Sequence, residues 1–393
     1  MTGRTIFERP SRESFMATQA FPSRITPLAK AFTRHILYFV LPVATVAVAS
    51  ETAGSQEPPK QVASSQQTPK QPVPAPAFFQ SQDPIEVTFT ANIGKLRGDK
   101  SPEPPWRPAT ISYLGPDGNA LTVPLRARTR GIWRLKMCDF PPLRLNFAGS
   151  TSKGSIFHQL DKPKLVSYCQ NVDDHEQYVL QEFQLYRIYQ LLTPISHKAR
   201  LLKFTYADSA SGKIRAKRYA FLIEEPSALA ARVGGKVMEQ KGALPGDLDP
   251  FQDALVGVFQ YMIGNTDFSI NGLHNVELLF REDGTVFPIA YDFDFAGAVN
   301  ARYAVPDARL PIPNVRKRLF RGYCSDAASY AKVFELFKEK KPEIYALYGD
   351  EIGKLMDRGT VKETLRYFDE FYETINDPRA AKRSIIAPCI ARP

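Results

Sequence analysis

Residues 263–297 read IGNTDFSINGLHNVELLFREDGTVFPIAYDFDFAG, and this stretch decides the fold that we expect. It predicts the end of a helix, a polar turn, a strand, a short turn and a second strand that finishes in Asp292 and Asp294. Because side chains alternate along a strand, Asp292 and Asp294 point to one side of it, and Phe293 and Phe295 point to the other. Two acids at the end of an apolar segment are costly to bury unless a cation compensates them.

The polar turn before the first of these strands carries Asp267, Asn271 and Asn275. Carboxylate and amide oxygens are the ligands that hard divalent ions such as Mg²⁺ and Mn²⁺ prefer. The stretch therefore predicts a metal site in which Asp292 and Asp294 join an asparagine of the turn. The alternative is an ordinary hairpin whose Asn and Asp residues only form turns.

The order of these groups resembles the second half of a protein-kinase active site. The NTD turn and the strand end IAYDFDFAG are most similar to the spore-coat CotH family of atypical secreted kinases. The resemblance covers roughly residues 120–300 and implies ATP with Mg²⁺ or Mn²⁺ as cofactors. It implies that Asp267 is the catalytic residue. The metal ligands that it implies are Asn275, Asp292 and Asp294.

One spacing in the turn departs from the protein-kinase pattern. Kinases place the Asn about five residues after the catalytic Asp, whereas Asn275 lies eight residues after Asp267 (275 − 267 = 8) and Asn271 four (271 − 267 = 4). Either the loop is lengthened and Asn275 is the ligand, or Asn271 takes that role. The HNVELL segment favours Asn275.

A helix predicted over about residues 175–192 carries Glu182 within an apolar stripe. A carboxylate on such a stripe needs a cation. In kinases a strand lysine pairs with a helix glutamate and holds the nucleotide phosphates, so the resemblance implies a pair of Lys164 and Glu182. Lys162 and Arg144 are alternative partners, and a position of Glu182 at the wet edge of the stripe is the alternative to any pair.

The strand ALTVPLRARTRG places Arg126, Arg128 and Arg130 on one face, just before Gly131. A glycine turn with arginines can cover phosphates, and this turn resembles one seen in CotH-like proteins. We therefore expect Arg128 and Arg130 to bind the nucleotide; the alternative is a basic hairpin that faces solvent. Further along, RYAFLIEE predicts a strand leading into a hinge, where the resemblance places the adenine near Glu224.

Together these elements predict an α+β, protein-kinase-like fold of two lobes. A β-rich N-terminal lobe would span residues 85–225, and a mainly helical C-terminal lobe with the catalytic loop and the metal site would span residues 226–393. The active cleft would lie between the lobes. A helix that Asp249 caps and Gly264 ends would support the catalytic loop.

The first 84 residues predict export. The apolar run over residues 36–49 follows basic residues and ends in an A-x-A site, which is typical of a signal peptide cleaved after Ala49. Residues 50–84 are rich in Pro, Gln and Ser, which is typical of a disordered linker. An uncleaved N-terminal membrane anchor is the alternative, and Met16 is an alternative start. The linker would then place the folded part near a membrane.

Cysteine content and charge narrow the choice of partners. The four cysteines permit two disulfides in three connectivities, and free buried thiols are the alternative. Removal of residues 1–49, which hold six basic and two acidic residues, lowers the formal charge from +10 to +6 (10 − 6 + 2). This is a modest bias toward anionic partners, and no nucleic-acid motif is present.

The expected function is therefore transfer of a phosphoryl group from ATP to an unknown hydroxyl acceptor, either a protein or a small molecule. A non-catalytic envelope binding protein on a kinase-like scaffold is one alternative. A metal-dependent phosphoesterase that uses Asp267, Asp292 and Asp294 on water is another. The sequence contains neither G-x-S-x-G nor H-E-x-x-H, so the hydrolase classes that carry those motifs are not indicated. It does not indicate the oligomeric state.

Overall fold

The computed structural model describes residues 73–131 and 133–391. The predicted signal peptide and residues 50–72 of the predicted linker lie outside them. The strands in the described part are β1 (Ile85–Ala91), β2 (Arg107–Leu114), β3 (Ala120–Thr129), β4 (Leu143–Asn146), β5 (Lys164–Val166), β6 (Ala199–Asp208), β7 (Ile214–Ile223), β8 (Lys236–Met238), β9 (Val276–Phe280) and β10 (Val286–Ala290). The α-helices there are α1 (Ile93–Gly98), α2 (Trp133–Met137), α3 (Gly149–Ser152), α4 (Asp173–Leu192), α5 (Pro226–Val233), α6 (Pro250–Ile263), α7 (Ala327–Ala346), α8 (Arg358–Asn376) and α9 (Pro378–Ala381).

Strands β1 to β7 form a closed barrel in the order β1-β2-β3-β4-β5-β7-β6. All neighbours are antiparallel except β1 and β6, whose parallel pairing closes the barrel. The alternation along β3 shows how the wall is built: Leu125 and Ala127 are buried in the barrel core, and Arg126 and Arg128 lie on the outer wall. The interior of the barrel is therefore filled with apolar side chains, and the charged side chains of β3 lie on its outer surface.

The folded region begins before the predicted start at Ile85. Phe78 and Phe79 are buried in the barrel core. Arg200 fixes this segment, because its guanidinium donates to the carbonyl oxygens of Phe78 and Asp83, at 2.9 Å each. The surrounding Pro-rich composition concealed this apolar pair in the sequence.

Helix α4 packs between the barrel and the C-terminal part of the chain. Its Phe183 ring lies 5.5 Å from Phe221 on the outer wall of β7, and its Tyr186 ring lies 4.8 Å from Phe293, beyond β10. Most of its residues are buried, on all sides of the helix. A polar group on α4 is thus held inside the protein, which matters for Glu182.

Helix α6 supports the loop that leads to Asp267. Asp249 accepts a hydrogen bond from the Gln252 amide at 2.7 Å, and Gly264 ends the helix with φ +68°, so both predicted ends are confirmed. A side chain at Gly264 would collide with the Tyr367 hydroxyl, so this turn requires glycine on steric grounds as well as for its backbone angle. Strands β8, β9 and β10 form a separate antiparallel sheet in the order β10-β9-β8.

The expected α+β, protein-kinase-like fold of two lobes is wrong. The described residues form a closed seven-stranded mixed barrel, a three-stranded sheet and nine α-helices. The region 226–393 is not a helical lobe, because it contains the whole three-stranded sheet. An alternating pattern predicts strands but not their partners, and the barrel is closed by a parallel pairing, Ile85 with Leu202, that local pattern does not encode.

All four cysteines are paired. Cys138 bonds to Cys169, and Cys324 bonds to Cys389, so the alternative of free buried thiols is wrong. Such bonds are typical of proteins in an oxidising compartment. No helix in the described part of the chain is both long enough and apolar enough to cross a membrane.

Candidate phosphate and metal site

Four basic side chains lie together on the outer wall of the barrel. Arg128 pairs with Arg144 across β3 and β4, and Arg144 pairs with Lys164 across β4 and β5, so the three share one face. Arg130 follows two residues after Arg128, and its amide continues the ladder to the Pro142 carbonyl. We call Arg128, Arg130, Arg144 and Lys164 the basic wall. Cations placed this closely repel one another, so the wall favours an anion.

Lys164 does not pair with Glu182 as predicted. Its Nζ lies 3.5 Å from Glu277 Oε1 and 3.9 Å from the centre of the Tyr291 ring. On the other side, His197 Nε2 lies 3.0 Å from Glu277 Oε2. Burial alone would raise the pKa of Glu277, but His197 and Lys164 together lower it. Glu277 therefore holds the lysine as a carboxylate.

Glu277 was missed in the sequence, although a signal for it exists. It is the polar residue within the otherwise apolar segment VELL, two positions after Asn275. In the pairing of β9 with β10, Glu277 lies opposite Ile289. A buried carboxylate within a short strand calls for a cation, as Glu182 does on α4.

Asp292 lies beyond the end of β10, after Tyr291, and has a left-handed backbone, with φ +62°. Such a conformation costs on the order of 1 kcal/mol for a non-glycine residue, and the surrounding structure must impose it. Helix α4 does so: the Asp292 amide donates to Tyr186 Oη at 2.9 Å, and the Phe293 amide donates to Glu182 Oε1 at 3.3 Å. Glu182 is thus part of the site, as an acceptor for the backbone turn.

Arg134 of α2 lies against both predicted metal ligands of this turn. Its guanidinium is 3.4 Å from Asp292 Oδ1 and 3.6 Å from Asp294 Oδ2. Burial would raise the pKa of Asp292, but Arg134, Arg130 and Lys164 lower it. Burial raises the pKa of Asp294 to about 6 in spite of Arg134. No sequence pattern indicated Arg134, which lies in a short helix without a recognisable motif.

Arg130 is the least satisfied cation of the site. Its Nε and Nη2 are buried and have no hydrogen-bond partner among the described residues. Burial lowers its pKa, and the negative charge of Asp292 opposes this change most strongly. Leaving buried donors unpaired is costly, and a guanidinium fork matches the oxygens of a phosphate or a carboxylate. The structure therefore offers an anion-binding group at the base of the wall.

The loop after α6 brings Asp267 and Asn275 together. Asn275 Nδ2 donates to the Asp267 carbonyl oxygen at 2.7 Å and to Asp267 Oδ2 at 3.1 Å. His274 Nε2 lies 2.8 Å from Asp267 Oδ1. For Asn271, the alternative to Asn275, the structure gives a main-chain contact, in which its backbone carbonyl oxygen accepts from the Gly242 amide. Asn275 is thus the asparagine whose side chain contacts Asp267.

The carboxylate of Glu224, which was predicted to lie near the adenine, is bound by other protein groups. Arg232 binds its carboxylate with two nitrogens, at 3.0 and 2.9 Å, and the Lys198 amide donates to it at 2.9 Å. Its carbonyl oxygen lies 2.9 Å from His197 Nδ1. Glu224 therefore reaches the site only indirectly, through His197 and then Glu277.

Arg128, the other residue predicted to bind the nucleotide, lies on the basic wall, and its guanidinium stacks on the Trp106 ring at 4.6 Å.

The predicted metal ligands fit a metal that arrives with a phosphate better than a metal centre of protein ligands alone. Within residues 73–131 and 133–391, no group of three or more His, Cys, Asp and Glu side chains could hold a metal ion. Mg²⁺ bound to phosphates needs only one or two protein carboxylates. Asp292 suits this role because it is ionised and its side chain is 24% exposed, whereas the Asp294 side chain is 7% exposed. Asn275, whose main-chain carbonyl oxygen accepts a hydrogen bond from the amide of Tyr291 beside Asp292, adds an amide oxygen.

A scan of protein-family models found no match for this chain, and a search of curated proteins found no significantly similar sequence. The likeness to the CotH family therefore remains a prediction from the motifs of residues 263–297.

Proposed function

We propose that this chain is an exported phosphotransferase that moves the terminal phosphoryl group of ATP to a hydroxyl acceptor, with Mg²⁺ or Mn²⁺ bound to the phosphates. The observation that carries the proposal is the Arg130 guanidinium of the basic wall, whose buried Nε and Nη2 have no hydrogen-bond partner among the described residues and whose charge is compensated chiefly by Asp292. The wall favours an anion, and the partly exposed carboxylate of Asp292 can bind a cation beside Arg134. A metal–triphosphate complex supplies both. The proposal does not depend on a kinase-like fold.

The basic wall would bind the phosphates. Lys164 is oriented by Glu277 and by the Tyr291 ring, and Arg130 offers two free donors. A bound triphosphate would remove the repulsion between Lys164, Arg130 and Arg144 and would satisfy the buried guanidinium. Most of the catalytic effect would come from positioning and charge neutralisation.

Asp292 and Asn275 would hold the metal, which neutralises phosphate charge when bound. Asp267 would accept the proton of the acceptor hydroxyl. In the transfer, the bond from phosphorus to the leaving oxygen of the nucleoside diphosphate breaks, the bond from phosphorus to the acceptor oxygen forms, and the hydroxyl proton passes to Asp267. His274, 2.8 Å from Asp267 Oδ1, fixes the orientation of that carboxylate.

Export is supported by the two disulfides, which are typical of an oxidising compartment. Cleavage after Ala49 would release the chain with residues 50–72 as part of a tether. Retention of the N-terminal apolar run as an anchor would leave the same folded part at the membrane surface.

A second candidate, a non-catalytic anion-binding protein of the envelope, is favoured by one observation. Arg134 already compensates Asp292 and Asp294, at 3.4 and 3.6 Å, so these acids do not need a metal in order to be buried. Such a protein would use the basic wall alone. It would bind nucleotide or phosphate without any metal dependence.

Thermal unfolding with ATP, with Mn²⁺ and with both separates the two candidates. The phosphotransferase should be stabilised by the pair far more than by either component, and Arg130→Gln should lose most of this gain, whereas the exposed-site control Asp174→Asn should keep it. Equal stabilisation by ATP with and without Mn²⁺, together with no phosphoryl transfer, would favour the binding protein. No stabilisation by ATP or by inorganic phosphate under any condition would overturn both.

A further inference from the structure

A pocket of about 510 Å³ lies directly beside Asp267, outside the basic wall. Its volume is in the range of small-molecule sites. It is formed by the Asp267 loop and by the segment that follows β10. Its titratable lining residues are Asp267, His274, Asp307, Arg309 and Arg321. The pocket therefore adjoins the carboxylate that we propose as the proton acceptor.

Arg321 is the cation of this pocket that is not fully engaged. Its Nη1 donates to the Thr266 carbonyl oxygen, and the structure gives its Nε and Nη2 no partner within the described residues. Burial lowers its pKa, while Asp307 and Asp267 oppose that change. Arg309, the other arginine, forms an exposed pair with Asp307. One guanidinium with free donors thus faces the space next to Asp267.

Part of the remaining lining of the pocket is apolar. Phe295, Val305 and Val315 contribute hydrophobic surface. A ligand there would meet the Asp267 carboxylate, the Arg321 guanidinium and this hydrocarbon surface. The two charged groups impose an orientation, since Asp267 repels an anion and Arg321 attracts one.

We propose that this pocket holds the acceptor and that the acceptor is a small hydroxyl compound with an anionic group, a phosphate or a carboxylate. The anion binds Arg321, and the hydroxyl faces Asp267. This inference rests on the proposed function and names its substrate class. The product is a phosphate ester at that hydroxyl, formed with loss of the nucleoside diphosphate and with the hydroxyl proton taken by Asp267.

Calorimetric titration without nucleotide or metal tests the pocket itself. The probes are glycerol 3-phosphate, glycerate and glycerol, which differ in the anionic group. We expect at least one anionic probe to bind tenfold or more tightly than glycerol, and the better of the two identifies the anion. Arg321→Gln should weaken that binding tenfold or more. Arg302→Gln, at an exposed pair with Asp174 outside the pocket, is the matched control and should bind as the parent does.

A second variant covers the case in which Arg321→Gln fails to fold. Val305 is 65% exposed, so Val305→Trp should narrow the pocket without loss of stability and should weaken the anionic probe by a similar factor. Equal binding of all three probes, or unchanged binding in Arg321→Gln or in Val305→Trp, would overturn the inference.

Failure of the acceptor pocket is distinguishable from failure of the phosphotransferase. Arg321→Gln should keep the stabilisation by ATP with Mn²⁺, since Arg321 is not part of the basic wall. If no anionic probe binds selectively to the parent while ATP with Mn²⁺ still stabilises it, only the acceptor assignment is overturned. Absence of ATP–Mn²⁺ stabilisation in the parent, with selective binding of an anionic probe, would remove the phosphotransferase and leave an anion pocket.

Discussion

Lys164 Nζ of the barrel lies 3.5 Å from Glu277 Oε1 of the three-stranded sheet, and both side chains are more than four-fifths buried. This ion pair joins β5 to β9 across the proposed phosphate site. Glu182, the partner that the sequence implied, instead accepts the Phe293 amide on the other side of the acids. Two glutamates thus share the role expected of Glu182 alone: Glu277 orients Lys164, and Glu182 holds the turn that carries Asp292.

Glu277→Gln should weaken the binding of ATP with Mn²⁺ roughly tenfold. The amide no longer attracts Lys164, which remains buried, so unfolding free energy should also fall by about 1–3 kcal/mol. Calorimetric binding and urea denaturation measure the two effects. The control is Glu86→Gln at the exposed Lys203 pair, where neither quantity should change. Unchanged nucleotide affinity in Glu277→Gln would show that Lys164 does not bind the phosphates.

Asp292→Asn should destabilise the protein even without metal. If only Asp292 and Asp294 are considered, the substitution should relieve the repulsion between the two acids. However, the buried cations Arg134 and Arg130 are compensated by the Asp292 charge. Removing that charge leaves two buried cations less compensated, so we expect a loss of about 1–3 kcal/mol. The variant should also lose the extra stabilisation that Mn²⁺ gives with ATP.

Melting curves with and without Mn²⁺–ATP check both effects of Asp292→Asn, and Asp294→Asn is the matched comparison. If Asp294→Asn loses the metal effect while Asp292→Asn keeps it, the principal metal ligand has been assigned to the wrong acid.

Asp267→Asn should keep the binding of ATP with Mn²⁺ and lose turnover by roughly 10² to 10⁴, the usual contribution of a general base. Asp267 lies in the loop beside the acceptor pocket, with its side chain 41% exposed, so its replacement should cost little stability. A transfer assay alongside melting curves separates binding from chemistry. Full activity of Asp267→Asn would exclude the residue as the proton acceptor.

Asp253 on α6 should make stability depend on pH. Burial, with repulsion from Asp249 as a smaller cause, raises its pKa from 3.8 to about 7. The folded protein therefore binds this proton more tightly than the unfolded chain does, and the contribution of Asp253 to stability is lost as pH rises from about 4 to about 7.

Asp253→Asn should remove that loss, so its stability relative to the parent should increase by on the order of 2–4 kcal/mol across this window. Urea denaturation at several pH values measures the difference. A difference that does not vary with pH would contradict the raised pKa.

Part of the site was predictable because its signals are local. The cap at Asp249, the stop at Gly264 and the β9–β10 hairpin follow from turn residues and short-range periodicity, and the structure has all three. The proximity of Asp267 and Asn275 followed from the same loop. These features depend on neighbours in the chain, which a sequence pattern describes.

The rest depended on pairings between distant segments. Lys164 has several candidate partners in the sequence, and only the packing of β5 against β9 selects Glu277. Arg134 lies far along the chain from Asp292, and nothing local to either residue predicts their contact. The expectation of two lobes failed for the same reason, because strands were predicted one by one while barrel closure depends on β1 and β6.

The parallel pairing of β1 with β6 also has a consequence for the order of folding. The barrel cannot close until Ile85 of β1 pairs with Leu202 of β6, which lies more than a hundred residues further along the chain. Such non-local closure is slow compared with hairpin formation. Until then one edge of β1 and the apolar barrel lining are open to other chains. Folding without aggregation would then depend on keeping the chain apart from its neighbours until β6 is available.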